Sequence, residues 1–220
     1  MKTIWLLSAA LLWAASSQAD WPTLPLPPDS RLESVGDQVR LNGIPMRMQR
    51  VLSTRKPADI IAFYRQALGA RHAEEKLPDG FLLAQGRGDY FVTVRIKRIA
   101  PSLTETLVSI SDARAAQHAA DRPLGLQLPA RSQVVSDMES TDDGRLSRQL
   151  VFLNRHSIDT NVDFIATALR ARGYHAQPEG PRTRTSERVL MFDGHKREAR
   201  LVAIQKEGVS NLVLTRVWMP

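Results

Sequence analysis

The chain has 220 residues, of which 43% are hydrophobic and 24% charged, a composition that excludes a disordered chain and allows one or two domains. It has no cysteine, which excludes disulfides, thiolate metal sites, thiol nucleophiles and the acylated cysteine of a lipoprotein. The formal charge of +7 is spread evenly, with three excess basic side chains in residues 20–111 and three in 112–220, so no basic tail or patch marks a nucleic-acid ligand.

The chain opens "MKTIWLLSAALLWAASSQAD". Lys2 supplies a positive start, Ile4 to Ala15 an apolar run, and Ser17-Gln18-Ala19 a small-residue cleavage site. This predicts a secretory signal peptide over residues 1–19, cleaved after Ala19. The apolar run is shorter than the ~20 residues that span a bilayer, and no later segment is long and apolar enough to do so. The expected location is therefore periplasmic or secreted, which also argues against nucleic acid as a partner.

Residues 20–111 form the first predicted unit. Its start, "DWPTLPLPPD", carries four prolines between Pro22 and Pro28, and should be an extended, stiff strap with Trp21 at its head. "QVRLNGIPMRM" alternates apolar and polar residues around Asn42-Gly43, a hairpin signal. "KPADIIAFYRQALG" predicts a helix over 57–68, with Pro57 and Asp59 in the first turn and Gly69 as the stop. A second hairpin is expected across Gly86 to Asp89, then a last strand in "ETLVSIS". The Ala-rich stretch 112–123, ending at Pro123-Leu124-Gly125, reads as a linker.

Residues 124–220 form the second predicted unit. "RLSRQLVFLN" reads as a strand. A helix is expected over about 158–171, capped by Ser157 or Asp159 and stopped at Gly173. "RVLMFDGHKREARLVAIQK" reads as a hairpin turning at Asp193-Gly194, and "NLVLTRVW" as a closing strand.

The two units share wording. Leu24, Leu26, Pro27, Ser30 and Ser34 recur 102 residues later as Leu126, Leu128, Pro129, Ser132 and Ser136. Phe63, Ala67 and Leu68 recur 101 residues later as Phe164, Ala168 and Leu169. The expected fold class is α+β: a tandem duplication of a ββαβββ module, with antiparallel sheets each carrying one helix on one face. The pattern LPxP…S, two strands, then a helix bearing "AFYRQAL" resembles small modules of unknown function in exported bacterial proteins. Ile165, Ala166 and Thr167 stand in the second unit where the first has Tyr64, Arg65 and Gln66. The resemblance implies a non-enzymatic module of the cell envelope and transfers no catalytic residue.

Motifs for chemistry are sparse. The five histidines show no metal-ligand spacing, and no nucleophile-elbow or S-x-x-K motif occurs. No cofactor is implied. Asp142-Asp143-Gly144 reads as a hairpin turn, and Arg87-Gly88-Asp89 as a turn that happens to spell an adhesion tripeptide. Two features point to binding. A basic strand face of Arg95 and Lys97, joined by Arg47 and by Trp21 of the strap, is a candidate partner-binding patch. In the second unit the strands are apolar on both parities, and Leu190, Phe192, Leu201, Leu212 and Leu214 form a candidate apolar interface. The expected function is a non-enzymatic interaction module, an accessory part of an envelope secretion, pilus or surface-assembly system whose partners are other envelope proteins. A periplasmic small-ligand or lipid-binding protein and a hydrolase are the alternatives.

Overall fold

The computed structural model describes residues 21–36, 38–180 and 184–219. The expected leader, residues 1–19, lies outside them. The first half contains β1 (Ser30–Ser34), β2 (Gln38–Leu41), β3 (Ile44–Ser53), α1 (Pro57–Leu68), β4 (Ala73–Leu77), β5 (Gly80–Arg87), β6 (Tyr90–Ala100) and β7 (Leu103–Asp112). A 3-10 turn, Ala115–Asp121, leads into the second half. There follow β8 (Gln133–Asp142), β9 (Arg145–Asn154), α2 (Ile158–Arg170), β10 (His175–Ala176), β11 (Glu187–Gly194), β12 (Arg197–Lys206) and β13 (Val209–Trp218).

The expected α+β fold, a tandem duplication of a ββαβββ module with antiparallel sheets each carrying one helix, is overturned. The molecule is mostly antiparallel strand, 54% against 15% helical, and all 13 described strands belong to one sheet. Its order is β10-β11-β12-β13-β9-β8-β2-β3-β7-β6-β5-β4, with β1 beside β3 off this path. Strands β1 and β2 share one edge of β3. Continuity across the middle comes from β2, whose residues 38–41 pair with 141–138 of β8. No local pattern in the sequence marks this joint: β2 is four residues long, and its second edge needs backbone partners that lie about a hundred residues away.

Register places both helices on the same face of this sheet. Directly opposed residues of an antiparallel pair share a face. A row of such partners runs Val92, Ile110, Arg47, then Pro45, Arg40, Glu139, Arg148, Arg216, Ala199 and Phe192. At one end Ile60, Tyr64 and Leu68 of α1 pack on Leu83, Val92, Val94 and Ile96. At the other, Val162, Ile165 and Leu169 of α2 pack on Leu150, Phe152, Phe192, Leu201 and Leu214. The middle of the row is polar. Arg148 is buried and donates to both oxygens of Asp137 at 2.8 and 2.6 Å, with Glu139 at 3.1 Å.

Local rules explain both helices. Pro57 opens α1 and Asp59 sits in its first turn, while Gly69 ends it at φ 76°, where a side chain would be strained. Ser157 caps α2 by accepting from the Thr160 amide at 3.1 Å. The expected turn at Asp193-Gly194 instead falls at His195 and Lys196, with Lys196 at φ 52°. Position 194, the last of β11, has no room for a side chain, because the Gly173 carbonyl would lie 2.5 Å from a Cβ there. The sheet ends at two-residue β10 and at β4, whose Glu74, Glu75 and Lys76 are exposed; short and charged edges discourage further strand addition.

Candidate docking face

Among the described residues, the sheet face opposite α1 and α2 carries no α-helix. Strand alternation assigns its residues. In the second half one row reads Val189, Val202, Val213 and Val151 across four strands. Val189 is 57% exposed, and the other three are half-buried. Met191, at 41% exposure, and Ile204, at 45%, stand in the rows on either side. Scattered exposed apolar residues are ordinary, but a contiguous ladder of them on an open sheet face marks an interaction surface.

The five residues expected as an apolar interface lie on the other side. Leu190, Phe192, Leu201, Leu212 and Leu214 are at most 5% exposed and form the core beneath α2. Parity explains the exchange. The bulky members of each strand turn toward the helix, and the smaller β-branched members remain outside. Charged neighbours carried the missing signal, because Arg200 and Glu187 sit on the same parity as Val202 and Val189 and mark it as the solvent side.

In the first half the same open face is charged. Arg95 and Lys97 point the same way, and each has an acid. Arg95 donates to both carboxylate oxygens of Asp79 at 3.0 and 2.8 Å. Lys97 meets Glu105 at 3.0 Å, and Arg50 bridges Glu105 at 2.5 Å and Glu33 at 3.2 Å. Burial opposes ionisation of Glu105, yet the hydrogen bonds from Lys97 and Arg50 hold its carboxyl below the ordinary range. Arg95 likewise lowers Asp79. These cations are thus largely balanced within the sheet, with Phe91 exposed near them.

Arg47 and Trp21 are brought together, but on the helix face and away from Arg95 and Lys97. The Arg47 guanidinium lies 5.2 Å from the Trp21 ring centroid, and that ring stands 5.0 Å from Tyr90. Trp21 and Leu24 pack against the core under α1, so the proline strap is fastened to its own chain. In the second half Leu126 is buried and Leu128 packs against the core under α2.

Among the described residues no group of three or more His, Cys, Asp or Glu is placed to hold a metal ion. No helix there is long and apolar enough to cross a membrane. Arg87 of the adhesion-like tripeptide donates to the Ala67 carbonyl at 2.9 Å, which ties it to the end of α1. Comparison with family models, curated proteins and solved structures gave no match for this chain.

Proposed function

We propose that the chain is a non-enzymatic interaction module of the cell envelope. In this reading residues 1–19 direct export, and the mature protein is an accessory component of a secretion, pilus or surface-assembly system. The partner is another envelope protein, held on the open sheet face. The observation that carries the reading is the ladder of Val189, Val202, Val213 and Val151, unopposed on a sheet whose other face is packed by two helices. Burying such a ladder removes apolar surface from water at roughly 25 cal/mol per Å², while the ion-paired end supplies register more than affinity.

The experiment is site-specific photocrosslinking in intact native cells. A crosslinker at position 202 should give one discrete protein adduct, lost when Val189→Asp is introduced beside it, and one at position 163, exposed on α2 on the other side of the sheet, should not. A smear of adducts at 202 equal to that at 163, or an adduct that survives Val189→Asp, refutes the docking face. Recovery of lipid in place of protein at 202 refutes the protein partner and favours lipid binding.

A further inference from the structure

A second site lies on the helix face, independent of the docking ladder. Arg216 of β13 is 6% exposed and stands directly opposite Arg148 of β9. Arg148 takes Asp137 and Glu139. Arg216 is left with two backbone carbonyls, donating from Nη2 to Leu124 at 3.1 Å and from Nη1 to Gly125 at 3.3 Å. Its Nε is buried and has no partner among the described residues. Burial, first, and the nearby charges of Arg148 and Arg172 hold its guanidinium below the ordinary range.

Two more guanidinium groups converge here. Arg172, just beyond α2, donates to the Gly125 carbonyl at 3.1 Å and the Ala168 carbonyl at 2.9 Å. Arg197, at the start of β12, donates to the Arg172 carbonyl at 2.6 Å. Among the described residues none of the three is joined to a carboxylate. Arg172, Arg197 and Arg216 line an open pocket of about 220 Å³ with Tyr174, Trp218 and Met219. Arg216 lies 5.7 Å from the Trp218 ring centroid and Arg197 5.7 Å from that of Tyr174.

A buried charge without a counter-ion is costly, and removing it from water is recovered only by a well-placed opposite charge. Guanidinium forks match the planar edges of carboxylate and phosphate, and the rings supply an apolar wall. We propose that this pocket binds a small oxyanion, a carboxylate or phosphoryl group carried on a compact body that rests against Trp218. The volume is below the usual range for drug-sized ligands, so the ligand is small.

The test is titration calorimetry on the mature protein at constant ionic strength, with inorganic phosphate, acetate and benzoate as probes and chloride as control. At least one oxyanion should bind with a dissociation constant on the order of millimolar, and chloride should not. Preference for phosphate assigns a phosphoryl group; preference for acetate or benzoate assigns a carboxylate. Arg197→Ala should weaken binding at least tenfold, and Arg95→Ala, on the opposite face, should leave it unchanged. Arg216→Met should abolish binding while raising the melting temperature of the ligand-free protein, an outcome that a merely structural arginine would not give. The proposal is overturned if no oxyanion binds, which would mean that the three charges are balanced within the chain. Binding that is indifferent to Arg197→Ala would also overturn it.

Discussion

Replacing Tyr64 by Phe should stabilise the protein. Tyr64 is fully buried on the inner face of α1, edge-on to Phe63 at 5.2 Å, and its hydroxyl has no hydrogen-bond partner among the described residues. Leaving a buried polar group unpaired costs about 1–3 kcal/mol, whereas the ring itself packs equally well as Phe. Tyr64→Phe should therefore gain about 1 kcal/mol near neutral pH, or about 2–4 °C in melting temperature for a chain of this size. Urea unfolding should show a higher midpoint with an unchanged slope. Alkaline pH sharpens the test. Burial pushes the Tyr64 hydroxyl from 10.0 to about 12, so the native state holds its proton more tightly than the unfolded chain. That contribution is intact below pH ~10 and is lost as pH rises through about 12, a loss on the order of 3 kcal/mol. The advantage of Tyr64→Phe should widen across that window, because every other ionisable group is common to both proteins. A variant less stable than wild type by more than about 1 kcal/mol, or a difference that stays flat across the window, would show that the hydroxyl is hydrogen-bonded after all.

Asn161→Ala should cost about 2–4 kcal/mol in chemical denaturation, because Asn161 and Asn154 are buried and exchange amide hydrogen bonds at 2.7 and 3.0 Å, and truncation strands the partner. Gly43→Ala should cost about 1–3 kcal/mol, since Gly43 holds φ 80° with the Ala119 carbonyl 2.6 Å from a Cβ; Gly88→Ala, at φ 59° with open space around a Cβ, is the comparison. Hydrogen bonds from Arg65 and then His72 hold the Glu74 carboxyl down to about 2, so its share of stability is present above the ordinary carboxylate range and is lost as pH falls toward 2. Glu74→Gln should remove that part of the acid dependence. His72 is raised by its hydrogen bonds to Glu74 and then the Gly69 carbonyl, so its share is complete below its ordinary value of 6.5 and fades as pH rises above it; the same Glu74→Gln variant should blunt that loss, read by melting temperature against pH.

The parts that were legible in the sequence obeyed local rules. The helix expected over 57–68 occupies Pro57–Leu68, and that expected over about 158–171 occupies Ile158–Arg170, because proline, serine and glycine act within one turn. The Asn42-Gly43 and Asp143-Gly144 turns carry the positive φ angles their residues favour. What the sequence concealed is long-range. Pairing of β2 with β8 joins residues a hundred positions apart, and nothing in either strand names its partner. The candidate interface failed for a related reason. Leu201 and Val202 are both apolar, and only the position of α2 decides which is core. The arginine pocket was hidden similarly: Arg172, Arg197 and Arg216 are unremarkable singly in an arginine-rich chain, and meet only because β12, β13 and the end of α2 converge.

The β2–β8 joint also has a consequence in time. Every other strand pairing is contained within residues 30–112 or within 133–218, and most join neighbours through a tight turn. Such local ladders close early, while contacts between distant residues pay a larger loop-closure entropy first. The joint has four residue pairs, helped by Asn42, whose amide donates to the Asp137 carbonyl at 2.7 Å and whose side chain accepts from the Asp137 amide at 2.9 Å. We expect the two halves to zip separately and the seam to close last and open first. Native-state hydrogen exchange should then find the amides of Arg40 and Asn42, which face β8, released by a partial opening that leaves β6 and β12 protected, since proteins open in cooperative pieces of unequal stability.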